Sequence, residues 1–420
     1  MKNQTKQENS KSCGWIKRFI HRLQHLPVAL TGLALGLCGI GAILDTIAQQ
    51  AGAYSSTEWW ISIPFITIAV FLVTLVTIRN IAHPSVFKFD TKDPLLVSFI
   101  PTYSMTLMCF AGFIAGWQKH LTPTIYPCQV IGAVLMCIAV AAQLFFIVYF
   151  LIMLSKHRWN EDSMYGSWLV PTVGPITACT FASRFNELVL PFGFFQAIWF
   201  AAFATYVVLF VFVTYALLFK KQPDKEKFPS IAVYFAPANL TLAGFLQTFA
   251  IPSVVKYTDS GYQMPVEIQA FIGNDYKFIN VMLILLTCMA FTYTILLWFF
   301  TVRIFLNNKF AYIFASLTFP LAIGASAMFY DYIYLKNYEI VNHAVDLGII
   351  KEFFQYVGWI FTGVATCIII FVAVRFLMMV FVAICSCEND DKKHQCYCDK
   401  SKKIEHVKFE KTVEAKNETK

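Results

Sequence analysis

The sequence predicts an all-α membrane protein built from ten spanning helices. Three observations carry this: an apolar composition, regularly spaced apolar runs, and lysines and arginines concentrated in alternate loops. Of 420 residues, 58% are hydrophobic and 14% charged, and mean hydropathy is +0.59. Soluble domains carry roughly 25% charged residues. The formal net charge of +8 sits mainly in the two ends and alternate loops, so it does not describe a nucleic-acid-binding surface.

A spanning helix needs about 20 mostly apolar residues. Ten stretches meet that requirement: 26–48, 58–79, 96–117, 127–154, 166–183, 190–219, 229–250, 278–304, 310–331 and 353–375. They define a membrane tract over 26–375. It is flanked by a basic N-terminal tail, 1–25, and a cysteine- and lysine-rich C-terminal tail, 376–420. The first 24 residues are polar and basic and show no removable signal peptide.

Lysine and arginine set orientation through the short loops. Alternate loops hold eleven of them on one side and six on the other. The N-terminal and C-terminal tails add six and nine to the richer side. Both termini are therefore expected in the cytoplasm of a multi-pass cell-membrane protein, with odd-numbered spans running outward.

Odd spans carry Pro27, Pro101, Pro171 (with Pro175), Pro237 and Pro320, separated by 74, 70, 66 and 83 residues. That spacing matches a helical hairpin used five times. Among even spans, only the second is interrupted inside, by Pro64. A proline within a helix removes one hydrogen bond and opens the ladder. In lipid, opened backbone is tolerated only against protein or a water-filled cavity. The prediction is thus an inner set of kinked odd helices with straighter even helices around it. Each kink presents unpaired N–H groups and a positive partial charge, which suit an anion without a buried cation. Odd-span residues placed to line such a path are Thr31, Gly32, Thr102, Thr172, Gly174, Asn239, Thr241 and Thr318, with Ser104 and Ser316 also available.

The spans hold no carboxylate or histidine at mid-depth; Asp45 and Asp331 fall at outer ends and Arg375 toward an inner one. Proton-coupled carriers usually show such groups, so a passive, gated path is favoured. The eight histidines lie in tails and at span edges, which argues against a membrane-embedded enzyme. A scaffold is the remaining class. Gly32, Gly36, Gly39 and Gly41 lie inside a span, so they read as helix packing through small residues and not as a nucleotide fingerprint. In the tail, Cys385, Cys387, Cys396 and Cys398 with His394 form two C-x-C pairs. They are the candidates should a soft metal be held, although C-x-x-C is the usual pairing in zinc modules. Acylation of Cys385 and Cys387 or plain reduced thiols are the other readings. No metal or cofactor is expected.

The segments LPVALTGLALGLCGIGAI (26–43), HPSVFKFDTKDPLLVSFIPTYSMTL (83–107), LVPTVGPITA (169–178), FAPANLTLAGFL (235–246) and TFPLAIGASA (318–327) resemble the tellurite-resistance/dicarboxylate transporter family. That family includes the bacterial tellurite-resistance channel, plant guard-cell slow anion channels and fungal malate permeases. The resemblance runs over roughly 25–375. It implies five hairpins in a pseudo-five-fold ring, odd helices lining a central pore, and a homo-oligomer, usually a trimer. It also implies passage of small or dicarboxylate anions, of the C4-dicarboxylate, nitrate or halide class, through a channel or facilitative transporter. A proton-coupled dicarboxylate or malate carrier is the alternative. The family's pore-plugging phenylalanine precedes the proline of the ninth span, which places it at Phe319.

Overall fold

The computed structural model describes residues 19–51, 58–117, 127–157, 164–219, 227–251, 276–341 and 346–385. Metal or acylation at Cys387, Cys396 and Cys398 therefore lies outside the described residues, and Cys385 closes the last helix. The chain divides into two units. One is Pro27–Val374; the other is drawn from the two ends, and 19–26 and 375–385 are its described parts.

Among the described residues every regular element is helical. In order they are α1 (Leu30–Gln50), α2 (Glu58–Ala82), α3 (Pro84–Asp90), α4 (Pro94–Phe99), α5 (Thr102–Trp117) and α6 (Pro127–His157). Then come α7 (Leu169–Val173), α8 (Ile176–Cys179), α9 (Phe192–Phe219), α10 (Ala236–Phe245), α11 (Tyr276–Asn307), α12 (Ala315–Val341) and α13 (Gly348–Cys385). Short 3₁₀ turns precede α7, α10 and α12, and a π turn, Leu246–Ala250, extends α10.

Nine stretches of the described residues are long and apolar enough to cross a membrane. The expected fifth span, 166–183, is not among them. It is a chain of short pieces: a 3₁₀ turn, α7, α8 and a second 3₁₀ turn, Ala182–Arg184. The interruption falls at Gly174–Pro175, where proline has no N–H to continue the ladder.

Burial alternates along the chain. Taken over an 18-residue apolar window of each, the odd stretches Leu30–Gln50, Pro94–Gly116, Phe228–Ala250 and Tyr312–Ile340 are 78, 78, 100 and 83% buried. The same window of the even stretches Ile61–Ala82, Pro127–Lys156, Phe192–Phe219, Phe278–Asn307 and Gly348–Val382 is 33, 33, 22, 22 and 33% buried. The even helices are apolar on nearly every face, as Phe145, Val208, Val211, Ile284 and Ile360 show by their exposure. A helix that is apolar all round and still exposed suits lipid and not water.

The prolines do not all act alike, which corrects the expectation of five kinked helices. Only Pro101 and Pro175 stand at true interruptions, the first between α4 and α5. Pro27 precedes α1, and Pro171 lies inside the short α7. Pro237 occupies the first turn of α10, where the missing N–H has no helical partner in any case. Pro320 sits inside a continuous α12 and removes one bond without ending the helix.

Candidate functional site

The five buried segments are joined to one another by hydroxyl groups. Thr31 Oγ1 of α1 lies 2.7 Å from Thr102 Oγ1 of α5, and Ser98 Oγ of α4 donates to Ser167 Oγ at 2.6 Å. Thr248 Oγ1 donates to the Cys179 carbonyl at 3.2 Å, tying the seventh span to the fifth. Ser316 Oγ lies 2.8 Å from the Pro229 carbonyl, tying the ninth to the seventh. Thr318 Oγ1 lies 3.2 Å from the Gly32 carbonyl, tying the ninth to the first. Serine and threonine are the residues that bond helices together in a medium without water.

Small residues make the last of these contacts close. A Cβ on Gly36 would fall 2.4 Å from Thr318 Oγ1 and 2.8 Å from the Thr318 carbonyl carbon. Gly39 similarly faces Ala322. The glycines of α1 therefore serve helix packing, on the face that meets α12.

Where the inner backbone is irregular, an outer helix supplies the missing partner. Pro175 cannot donate to Pro171, four residues earlier; Gln143 of α6 does so instead, its Nε2 3.0 Å from that carbonyl. Gln143 Oε1 in turn accepts from Ser104. Gly174 is the residue that admits this amide, since a Cβ there would lie 2.2 Å from Gln143 Nε2. Trp199 of α9 donates to the Thr241 carbonyl at 3.0 Å, a few residues before the π turn. Thr294 of α11 donates to Asn239 Oδ1 at 2.8 Å, while Asn239 Nδ2 bonds the Phe235 carbonyl.

Several residues expected to line a path also hold packing or hydrogen-bond contacts. Gly174 and Asn239 meet outer helices, and Gly32 packs on Ala315. The Thr241 hydroxyl turns to the Ala238 carbonyl and the half-buried Thr172 to Leu169. Thr31, Thr102 and Thr318 each bond their own helix turn as well as a neighbour. By contrast, Thr177 of α8 is buried and its Oγ1 has no hydrogen-bond partner among the described residues. The sequence signal for Thr177 was its place in the same LVPTVGPITA segment; Gln143 was visible only as an amide in the middle of an apolar helix.

Phe319 differs from its surroundings. Among the described residues 314–334 it is the one that is not fully buried, set between Thr318 and Pro320. Charges lie apart from it along the chain. Arg184 Nη2 pairs with Asp45 Oδ2 at 2.8 Å, with its guanidinium 5.0 Å from the Phe113 ring centre and 5.5 Å from that of Phe181. Asp331 is buried and accepts from Thr287 Oγ1 at 3.1 Å. At the other ends of these helices, Lys227 Nζ lies 3.3 Å from Asp93 Oδ2. Burial alone would lower the pKa of Lys227, but Asp93 and Tyr165 outweigh it and hold the ammonium above its ordinary value.

The family described as voltage-dependent anion channel matches residues 25–377. The chain belongs to that family. No curated protein matches the chain. Membership in this anion-channel family covers the whole of α1–α12 and most of the Pro27–Val374 unit's closing helix α13. The family accounts for a multi-pass architecture with few charges inside, and it is the tellurite-resistance/dicarboxylate group that the five sequence segments resemble.

Proposed function

We propose that the protein conducts small or dicarboxylate anions passively through a lane enclosed by its five odd segments, with Phe319 as the gate. The observation that carries this reading is the partial exposure of Phe319 within the otherwise buried run 314–334, in a chain that belongs to an anion-channel family. The hydroxyl bonds between odd segments support a five-membered ring, because they run first to third, third to fifth, fifth to seventh, seventh to ninth and back to the first. An apolar ring in a narrow lane excludes water and stops ions until it moves aside. The free Thr177 hydroxyl supports an anion contact along the way. The substrate class stays C4-dicarboxylate, nitrate or halide. The tract 26–375 is the transport domain, with both tails cytoplasmic in the cell membrane, and the assembly is a homo-oligomer, a trimer by family resemblance.

The test is Phe319→Ala in planar bilayers. Anion conductance rises if Phe319 is the gate; unchanged conductance from normally assembled protein rejects it. Proton-coupled carriage is the second reading, and the buried Asp331 is the observation that favours it. Asp331→Asn distinguishes the two: a carrier loses proton-driven uptake into liposomes, whereas a channel keeps a flux that ignores the proton gradient.

A further inference from the structure

A cavity of about 320 Å³ opens beside the joint between α4 and α5. Val28, Val76 and Ile100 line it and are buried, whereas Ile81, also in its wall, is 76% exposed. The cavity therefore runs from the interior to the outer surface. Phe87 and Phe146 complete its apolar wall, and the few polar groups include Thr31 and Tyr103. The Thr31 hydroxyl is bonded to Thr102, the Tyr103 hydroxyl to Thr77, 2.9 Å away, and the Asn80 Oδ1 of the wall accepts from Arg79 at 3.0 Å, which leaves a lining that is mainly hydrocarbon. Residues 76 to 81 cover its depth along α2, about 7.5 Å at 1.5 Å per residue. The open end lies at the last turn of α2, where the span leaves the apolar region.

Helix α3 folds back over that end. Arg79 of α2 pairs with Asp90 of α3 at 2.7 Å, and both side chains are buried. Burial pushes the Asp90 carboxyl up, while Arg79 works against that rise. The pair holds α3 in place, with Phe87 against the cavity and the next residue, Lys88, exposed. Lys92 follows one turn later and is exposed too. The neighbouring carboxylates are engaged inward: Asp90 with Arg79, and Asp93 with the Leu95 amide and Lys227. An apolar slot opening among lipid-facing side chains, with exposed lysines one and five residues on from the Phe87 of its wall, matches a chain beneath a phosphate.

We propose that this cavity holds one acyl chain of an anionic phospholipid whose phosphate group rests on Lys88 and Lys92. The occupant stands behind Ile100, next to the interruption at Pro101, and fills space that the irregular backbone leaves there. The site is independent of the gate, so its test is read without any conductance.

The purified full-length protein is reconstituted in phosphatidylcholine with a trace of phosphatidylglycerol bearing a photoreactive acyl chain, and labelled peptides are mapped by mass spectrometry. Labels are expected to centre on 76–87 and 100–103. Val76→Phe, which fills the slot, and Ile81→Trp, which covers its exposed rim, should each abolish that cluster. Should Val76→Phe fail to assemble, the rim variant carries the test. Replacing Lys88 and Lys92 by Gln should weaken phosphatidylglycerol labelling about fivefold per lysine and leave a phosphatidylcholine probe unaffected. Labels spread evenly over the outer helices would overturn the proposal. So would a cluster that persists in both plugging variants, or cross-linking through residue 81 to a second copy, which would make the cavity a subunit contact.

Discussion

Replacing Gln143 by Leu tests whether outer helices repair the inner backbone. Gln143 is fully buried, and its Nε2 supplies the bond to the Pro171 carbonyl that Pro175 cannot make. Leucine matches the glutamine in bulk, so the loss is chiefly one stranded carbonyl; Ser104 keeps its contact with the Pro101 carbonyl at 2.8 Å. A buried acceptor left without a partner costs about 1–3 kcal/mol. Interhelical bonds in membranes average about 0.6 kcal/mol, because the unfolded chain also finds partners, so the lower half of that range is expected. In a thermal unfolding assay in detergent, this corresponds to a fall in Tm of about 1–2 °C for a chain of 420 residues. Gly174→Ala provides the second arm of the experiment, since its Cβ would fall 2.2 Å from the same amide. Combining Gly174→Ala with Gln143→Ala removes that clash, so the two losses should be less than additive in a double-mutant cycle. An unchanged Tm for Gln143→Leu, or strict additivity in the cycle, would refute the repair.

Four further substitutions test the packing and pairing of the helices. Gly36→Ala drives a Cβ into Thr318 and should cost about 1–3 kcal/mol by overpacking, read as lost thermal stability. Gly363→Ala, which meets nothing within 4 Å in the middle of α13, should instead gain about 0.5–1 kcal/mol. Asp45→Asn leaves the Arg184 guanidinium unpaired. Since Arg184 retains 15% exposure, the loss should fall at or below the low end of the roughly 3–5 kcal/mol seen for fully buried pairs. Exchanging the two charges should recover part of it, measured as coupling in the unfolding cycle. Trp199→Phe keeps the ring among Phe203, Phe245 and Phe249 but removes the indole N–H that adds a bond to the Thr241 carbonyl, and a Tm drop from about 1 kcal/mol should follow.

Composition and periodicity determined the class of the molecule, because apolar runs of spanning length leave a chain few soluble arrangements. The alternation of inner and outer helices was legible too, through prolines that recur in odd spans, although their local effects were not. Whether a proline interrupts a helix depends on where its missing N–H falls. Pro237 loses nothing in a first turn, Pro320 loses one bond within α12, and Pro175 joins Gly174 in splitting the fifth segment. Only the tertiary structure decided which hydroxyls stand free. Thr31, Thr102 and Thr318 each have a backbone or neighbouring-helix partner within hydrogen-bond distance, and no spacing along the chain names it. The pairing of Asp45 with Arg184, 139 residues apart, and of Gln143 with a carbonyl 28 residues on, likewise follows from packing. A buried polar group takes whichever partner the fold brings within about 3 Å, and spacing along the sequence does not specify that partner.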